Sequence, residues 1–268
     1  MRHIYGADFS GAMNPKIFYV HGILEDSILT LKSYITCDDR LDLYHGIVRS
    51  KDAIWGLDFP FGIPSIALPR LGFSSYEEML SGINQMTRKG FARFIDESMQ
   101  DYPRKCADKH SAYCRATDIA VNAHSVFKTV NPNLRVMLYA GLKLIRYLRD
   151  AGINVYPFGN AQGGYDPEYT TVYEIYPSYA WQKAELKRSM DIDKFIEKFN
   201  RLGYLTVINE IDKSAVDNQD LADSVVACVM MAAAYVTQNI DKSWDYRLPI
   251  VTDEEWQHRH TEGLIVRF

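Results

Sequence analysis

Three β-rich segments crowd into the first 36 residues: RHIYGADF at 2–9, KIFYVHG at 16–22 and ILTLKSYIT at 28–36, parted by short polar breaks at Gly11–Pro15 and Glu25–Ser27. A parallel connection needs a crossover of about a dozen residues or more. These breaks leave no room for one, so the chain is expected to open as an antiparallel meander. The period then changes. In DDRLDLYHGIVRS, Leu41, Tyr44, Ile47 and Val48 recur at helical spacing and predict a helix from about Asp38. The following run AIWGLDF carries consecutive apolar residues at 53–57, as a strand buried on both faces does, and a crossover helix before it makes parallel pairing the expectation.

From Pro60 to about Val130 the rhythm breaks, with prolines at 60, 64 and 69 and helix-like polar stretches, which we read as a helical insertion after the fourth strand. Order resumes in LRVMLYAGLKLIRYLRDAG, where Leu134, Met137, Leu138, Leu142, Ile145 and Leu148 share a helical face and Gly152 ends it. Two strands are expected next, INVYPF and TVYEIYP, then helices near 178–188 and 191–202, and a last helix from about Asn218 to Gln238. The tail from about 244 to 268 reads as peripheral. With 47 % hydrophobic residues there is ample core for one α/β domain over 1–268.

Composition narrows the function. A formal charge of −4 gives no global basic field for nucleic acid, so an anionic substrate must meet a local patch. The longest apolar run, Val225 to Val236, is twelve residues, shorter than a bilayer requires, and reads as a buried helix. The start MRHIYGADFS does not resemble a signal peptide. Four irregularly spaced cysteines, without a glycosylation sequon, suggest free thiols in a reducing cytoplasm.

Acidic residues stand at strand ends and at the head of the last helix: Asp8, Asp58, Glu174, and Asp220 with Asp223. Asp58 follows the buried run and precedes Pro60, at the carboxyl end where open α/β sheets place their sites. Glu174 sits among Val172, Tyr173, Ile175 and Tyr176, where an unpaired charge is costly and a cation is the simplest partner. Asp220 and Asp223 share one helix face, where helix capping competes with metal ligation as the explanation. Hard oxygen donors without a Cys/His set point to Mg2+ or Mn2+. Two such ions held by carboxylates activate water and stabilise the leaving oxygen of a phosphodiester.

Between Arg88 and Arg115 stand seven Lys/Arg against four acids, the best phosphate-facing patch, with Arg104, Lys105, Lys109 and Arg115 as candidate contacts. A solvated helix surface explains the same charges, and Arg115 with Asp118 fits a structural ion pair equally. Cys106, His110 and Cys114 lack a fourth zinc ligand, and the loop Gly159 to Gly164 lacks the Lys-Ser/Thr of a P-loop.

The segments GADFSG, GLDFPFGIP, YEIYPSYAW and DNQDLADSVVA, in this order over residues 3 to about 236, resemble the signature segments of the domain of unknown function 429 family, described as predicted nucleases of RNase H-like fold. That resemblance implies an RNase H-like mixed sheet flanked by helices. It implies acidic site residues at Asp8, Asp58, Glu174 and Asp223, with Asp220 one turn earlier. It also implies a nucleic-acid substrate, DNA or RNA. Two other functions remain open: ATP-dependent phosphotransfer of the sugar-kinase and actin type, whose first phosphate loop GADFSGAMN also resembles, and a non-catalytic binding protein using the aromatic residues of the insertion.

Overall fold

The computed structural model describes residues 1–98, 113–129, 133–162, 164–166, 169–212, 218–240 and 247–268. Its frame is a mixed seven-stranded sheet flanked by helices. The meander forms as expected: β1 (Arg2–Asp8), β2 (Ile17–Glu25) and β3 (Ile28–Cys37) are successive antiparallel neighbours. The turn between β2 and β3 is only Asp26 and Ser27, both at positive φ, the backbone a tight hairpin requires. Helix α1 (Arg40–Arg49) then crosses over, capped by the Asp39 carboxylate, which accepts from the amides of Leu41 and Asp42. Of the expected stripe, Ile47 is buried and Tyr44 packs against the core, whereas Leu41 and Val48 are exposed and Leu43 is buried instead. Strand β4 (Ala53–Asp58) pairs parallel to β1.

The described part of the segment after β4 carries four helices joined by irregular stretches: α2 (Ala67–Arg70), α3 (Tyr76–Gln85), α4 (Arg88–Ser98) and α5 (Ala116–Ala120). The long α6 (Leu134–Asp150) leads to β5 (Asn154–Val155) and β6 (Thr171–Glu174), both shorter than expected. After α7 (Pro177–Lys183) and α8 (Ile192–Arg201) comes a strand absent from the sequence reading, β7 (Thr206–Asn209), parallel to β3 at the sheet edge. Helices α9 (Gln219–Gln238) and α10 (Asp253–Glu262) complete the chain, and the strand order is β5-β6-β4-β1-β2-β3-β7.

Each sheet face carries its own apolar cluster. One gathers α7, α8 and α9, and the other gathers α1, α3 and α6. Although α9 is long and apolar enough to cross a bilayer by composition, residues 221–234 are buried inside the fold. Gly6 lets α9 seat directly on β1, for a Cβ there would lie 2.0 Å from the Cys228 nitrogen. Such contact of helix backbone with strand backbone admits no side chain.

Two expectations are corrected here. The tail is not peripheral: Leu264, Ile265, Val266 and Phe268 are buried, and Ile265 bridges in parallel to Glu174. Four apolar residues out of five cannot be left in water when a sheet edge lies open beside them. Nor are all the thiols free, because Cys114 is disulfide-bonded while Cys37 and Cys228 are free and buried.

Candidate functional site

Asp8 and Asp58 are register partners at the carboxyl ends of two adjacent parallel strands. Residues paired this way project to the same face. That face is the α9 side, since α9 closes on Gly6 and Gly56, two residues earlier in each strand. The first turns of α9 bring the third acid. The Asn218 side chain caps α9 by accepting from the Leu221 amide at 2.8 Å. The Ser224 hydroxyl accepts from the Asp8 amide at 3.1 Å and lies 2.8 Å from the carbonyls of Phe18 and Asp220. This hydroxyl ties α9 to the end of β1, so Asp223 stands beside Asp8 and Asp58, with Asp220 exposed at the rim.

Asp223 is buried and held on both oxygens. Its Oδ1 accepts from Trp181 Nε1 at 3.1 Å and from Gln219 Nε2 at 3.2 Å, while its Oδ2 accepts from Arg188 Nε at 2.5 Å and also pairs with the Arg188 terminal nitrogen. Burial and the charges of Asp58, Asp223 and Asp220 push the Asp8 carboxyl well up from its ordinary value. Burial and Asp223 likewise raise Asp58 to about 8, with Arg188 pulling the other way. The physical cause is first the burial of both carboxyls and then their mutual repulsion with Asp223, partly offset by the Arg188 guanidinium.

Glu174 lines the same cleft and its charge adds to the rise of Asp58, but its carboxylate is engaged elsewhere. It pairs in register with Leu57, one residue before Asp58, and strand alternation turns its carboxylate to the opposite face. There the cation expected beside it is Arg115. Nη1 donates to Glu174 Oε2 at 2.8 Å and Nη2 to Oε1 at 2.5 Å, while Nη2 and Nε reach the two oxygens of Asp118 at 2.7 and 2.9 Å. The Phe61 amide donates to Glu174 Oε2 at 2.9 Å. Arg115 is 1 % exposed, so of its two readings the ion pair is the one seen, and its guanidinium is not left over for substrate phosphate. Arg104, Lys105 and Lys109 lie outside the described residues, as do Cys106 and His110.

A cleft of about 590 Å³ opens over the acids, lined also by Glu174, Arg115, the Ser10–Ala12 loop, Arg88 and the start of α6. The loop is pinned by Arg40, whose Nη1 donates to the carbonyls of Ser10 at 3.1 Å and Ala12 at 2.8 Å. Gly11 presses against the α6 backbone, where a Cβ would fall 2.6 Å from the Met137 nitrogen. The side chains that hold Asp223 were not singled out from sequence. Gln219 and Asp223 are an i, i+4 pair on one helix and were legible in principle. Trp181 and Arg188 carried no local signal.

The donor set is all carboxylate oxygen, which suits Mg2+ or Mn2+. Burial and crowding raise Asp8 and Asp58, and a cation would relieve both, so in chemistry the residues suit such an ion. As placed, no group of three or more His, Cys, Asp or Glu side chains among the described residues could hold a metal ion, and one oxygen of Asp223 is engaged by Arg188. Compared with family models, curated proteins and solved structures, the chain matches none.

The raised Asp58 carboxyl makes stability depend on pH. Unfolded, this group loses its proton near pH ~4, whereas folded it keeps it to about 8. Between these values the native state binds more protons, so this contribution to stability falls as pH rises. Thermal melts in chelator across that window should show Asp58→Asn losing less stability with rising pH than wild type. Equal slopes would mean that Asp58 is not crowded.

Proposed function

We propose that this chain is a divalent-metal-dependent nuclease on an RNase H-like core, with Asp8, Asp58 and Asp223 as the acidic site. The observation that carries the reading is the in-register pairing of Asp8 with Asp58 on adjacent parallel strands, joined by Asp223 from the last long helix. The sheet supports the fold assignment: an antiparallel meander, then a parallel strand beside β1 after a crossover helix, then further parallel strands beyond it. The resemblance to the domain of unknown function 429 family points the same way.

In this reading Asp8, Asp58 and Asp223 hold Mg2+ or Mn2+, which supplies Lewis-acid activation of a phosphodiester and of water. Trp181 and Gln219 keep Asp223 aimed, as partners beyond the metal ligands do. Arg88, which lines the cleft, would meet the substrate's phosphate. Glu174 is assigned to holding Arg115. Nucleic acid, DNA or RNA, is the proposed partner.

The test is cleavage of single-stranded, duplex and branched DNA and RNA with Mg2+ or Mn2+ and no ATP. Wild type should cut, and Asp8→Asn and Asp58→Asn should each lose at least about a hundredfold in rate, the scale on which positioned catalytic groups act. Cleavage that survives unchanged in both variants would belong to a contaminant, and phosphotransfer that requires ATP would replace this reading with a kinase.

A further inference from the structure

Arg188 occupies an unusual position for a surface residue. Its side chain is 53 % exposed, yet it ends on Asp223, whose side chain is 4 % exposed. It approaches from the segment between α7 and α8, which is tethered where Gln219 Nε2 donates to the Ser189 carbonyl at 3.3 Å. Gln219 therefore holds both the segment bearing Arg188 and the far oxygen of Asp223.

The two oxygens of Asp223 are unequally committed. Oδ1 has two donors, one of them the buried Trp181 indole, and both come from well-packed helices. Among the described residues Oδ2 has only Arg188, on a long half-exposed side chain. A guanidinium and a divalent cation cannot share the same inward lone pairs at bonding distance. The partner that can leave is the one reaching in from solvent.

We propose that Arg188 is the displaceable counter-ion of the acidic cluster: it neutralises Asp223 Oδ2 in the metal-free protein and is exchanged for the divalent cation, so that it sets metal affinity. This rests on the metal reading above and adds to it a positioning residue. Exchange costs the cation the Arg188 pair. Removing the guanidinium without changing side-chain bulk greatly should therefore tighten metal binding, whereas an arginine that merely braced the site would leave it unchanged or weaker.

The measurement is calorimetric titration of wild type, Arg188→Gln and Arg188→Lys with Mg2+, paired with NMR of the arginine Nε–H signals, the Arg188 resonance being assigned as the one missing from the Gln variant. We expect Arg188→Gln to bind Mg2+ at least about fivefold more tightly, the lower end of ordinary coupling between sites. Arg188→Lys should bind more weakly than the Gln variant, because charge is restored. In wild type the Arg188 Nε–H signal should lose its ion-paired position as Mg2+ is added. Equal or weaker affinity in Arg188→Gln, or an Arg188 signal that stays in place while Mg2+ binds, overturns the exchange and leaves the metal site standing. Absence of Mg2+ binding in all three proteins overturns both.

Discussion

Replacing Asp58 with asparagine is expected to remove most of the stabilisation that divalent cations give the fold. Above the Asp58 value of about 8, metal-free wild type carries a buried negative charge on Asp58 within the crowded acidic site, opposed by Arg188. The amide removes that charge and keeps the shape, so in chelator the variant should melt at or above wild type. With Mg2+ at a hundred times its dissociation constant, wild type should gain about 2.7 kcal/mol by mass action. For a chain of this size that is roughly 5 °C or more in Tm. The variant should gain much less, having lost a ligand. Four melts at a pH just above 8 therefore cross over. Parallel gains in the two proteins would remove Asp58 from the ligand set, and the in-register pairing with Asp8 would then need another explanation.

What the chain shows without a structure divides along physical lines. The meander was legible because loops too short for a crossover dictate antiparallel pairing, and α6 and α9 because long periodic runs have few other solutions. Strand β7 was not, since four residues with Ile208 exposed carry no usable period. The acids at Asp8, Asp58 and Asp223 were legible as strand-end and helix-start residues. The engagement of Glu174 by Arg115 was not, because it turns on a register offset of one residue between β4 and β6, which sets Leu57 and not Asp58 against it. The cation beside it is a guanidinium in place of the expected metal ion, and stands 59 residues away in sequence. The apolar ending of GLIVRF was a signal for burial that its terminal position obscured.

The Arg115 network should respond to mutation most severely of all, through stability and not through chemistry. Arg115 bridges Asp118 and Glu174, all three buried, and its Nη1 also donates to the Glu262 carbonyl at 2.9 Å. The Glu262 carboxylate in turn accepts from the amides of Ser65 and Ala116, each at 2.7 Å. One guanidinium thus joins α5, the end of β6 and the C-terminal segment, and without it two carboxylates face each other in a dry interior. Removing one partner of a buried pair costs about 3–5 kcal/mol, against a total stability on the order of 5–15 kcal/mol for a native protein. Arg115→Met should therefore lower the urea midpoint steeply. The loss should be smaller at acid pH, where Glu174, its carboxyl pushed up by burial, takes up a proton. Adding Glu174→Gln to Arg115→Met should recover part of the loss, because one stranded charge is gone. Glu174→Gln alone should weaken the fold while leaving Mg2+ affinity within about twofold of wild type, since a residue more than one shell from the cation acts only through long-range charge. A tenfold or greater fall in Mg2+ affinity in that single variant would return Glu174 to the ligand set and place Arg115 as its rival partner.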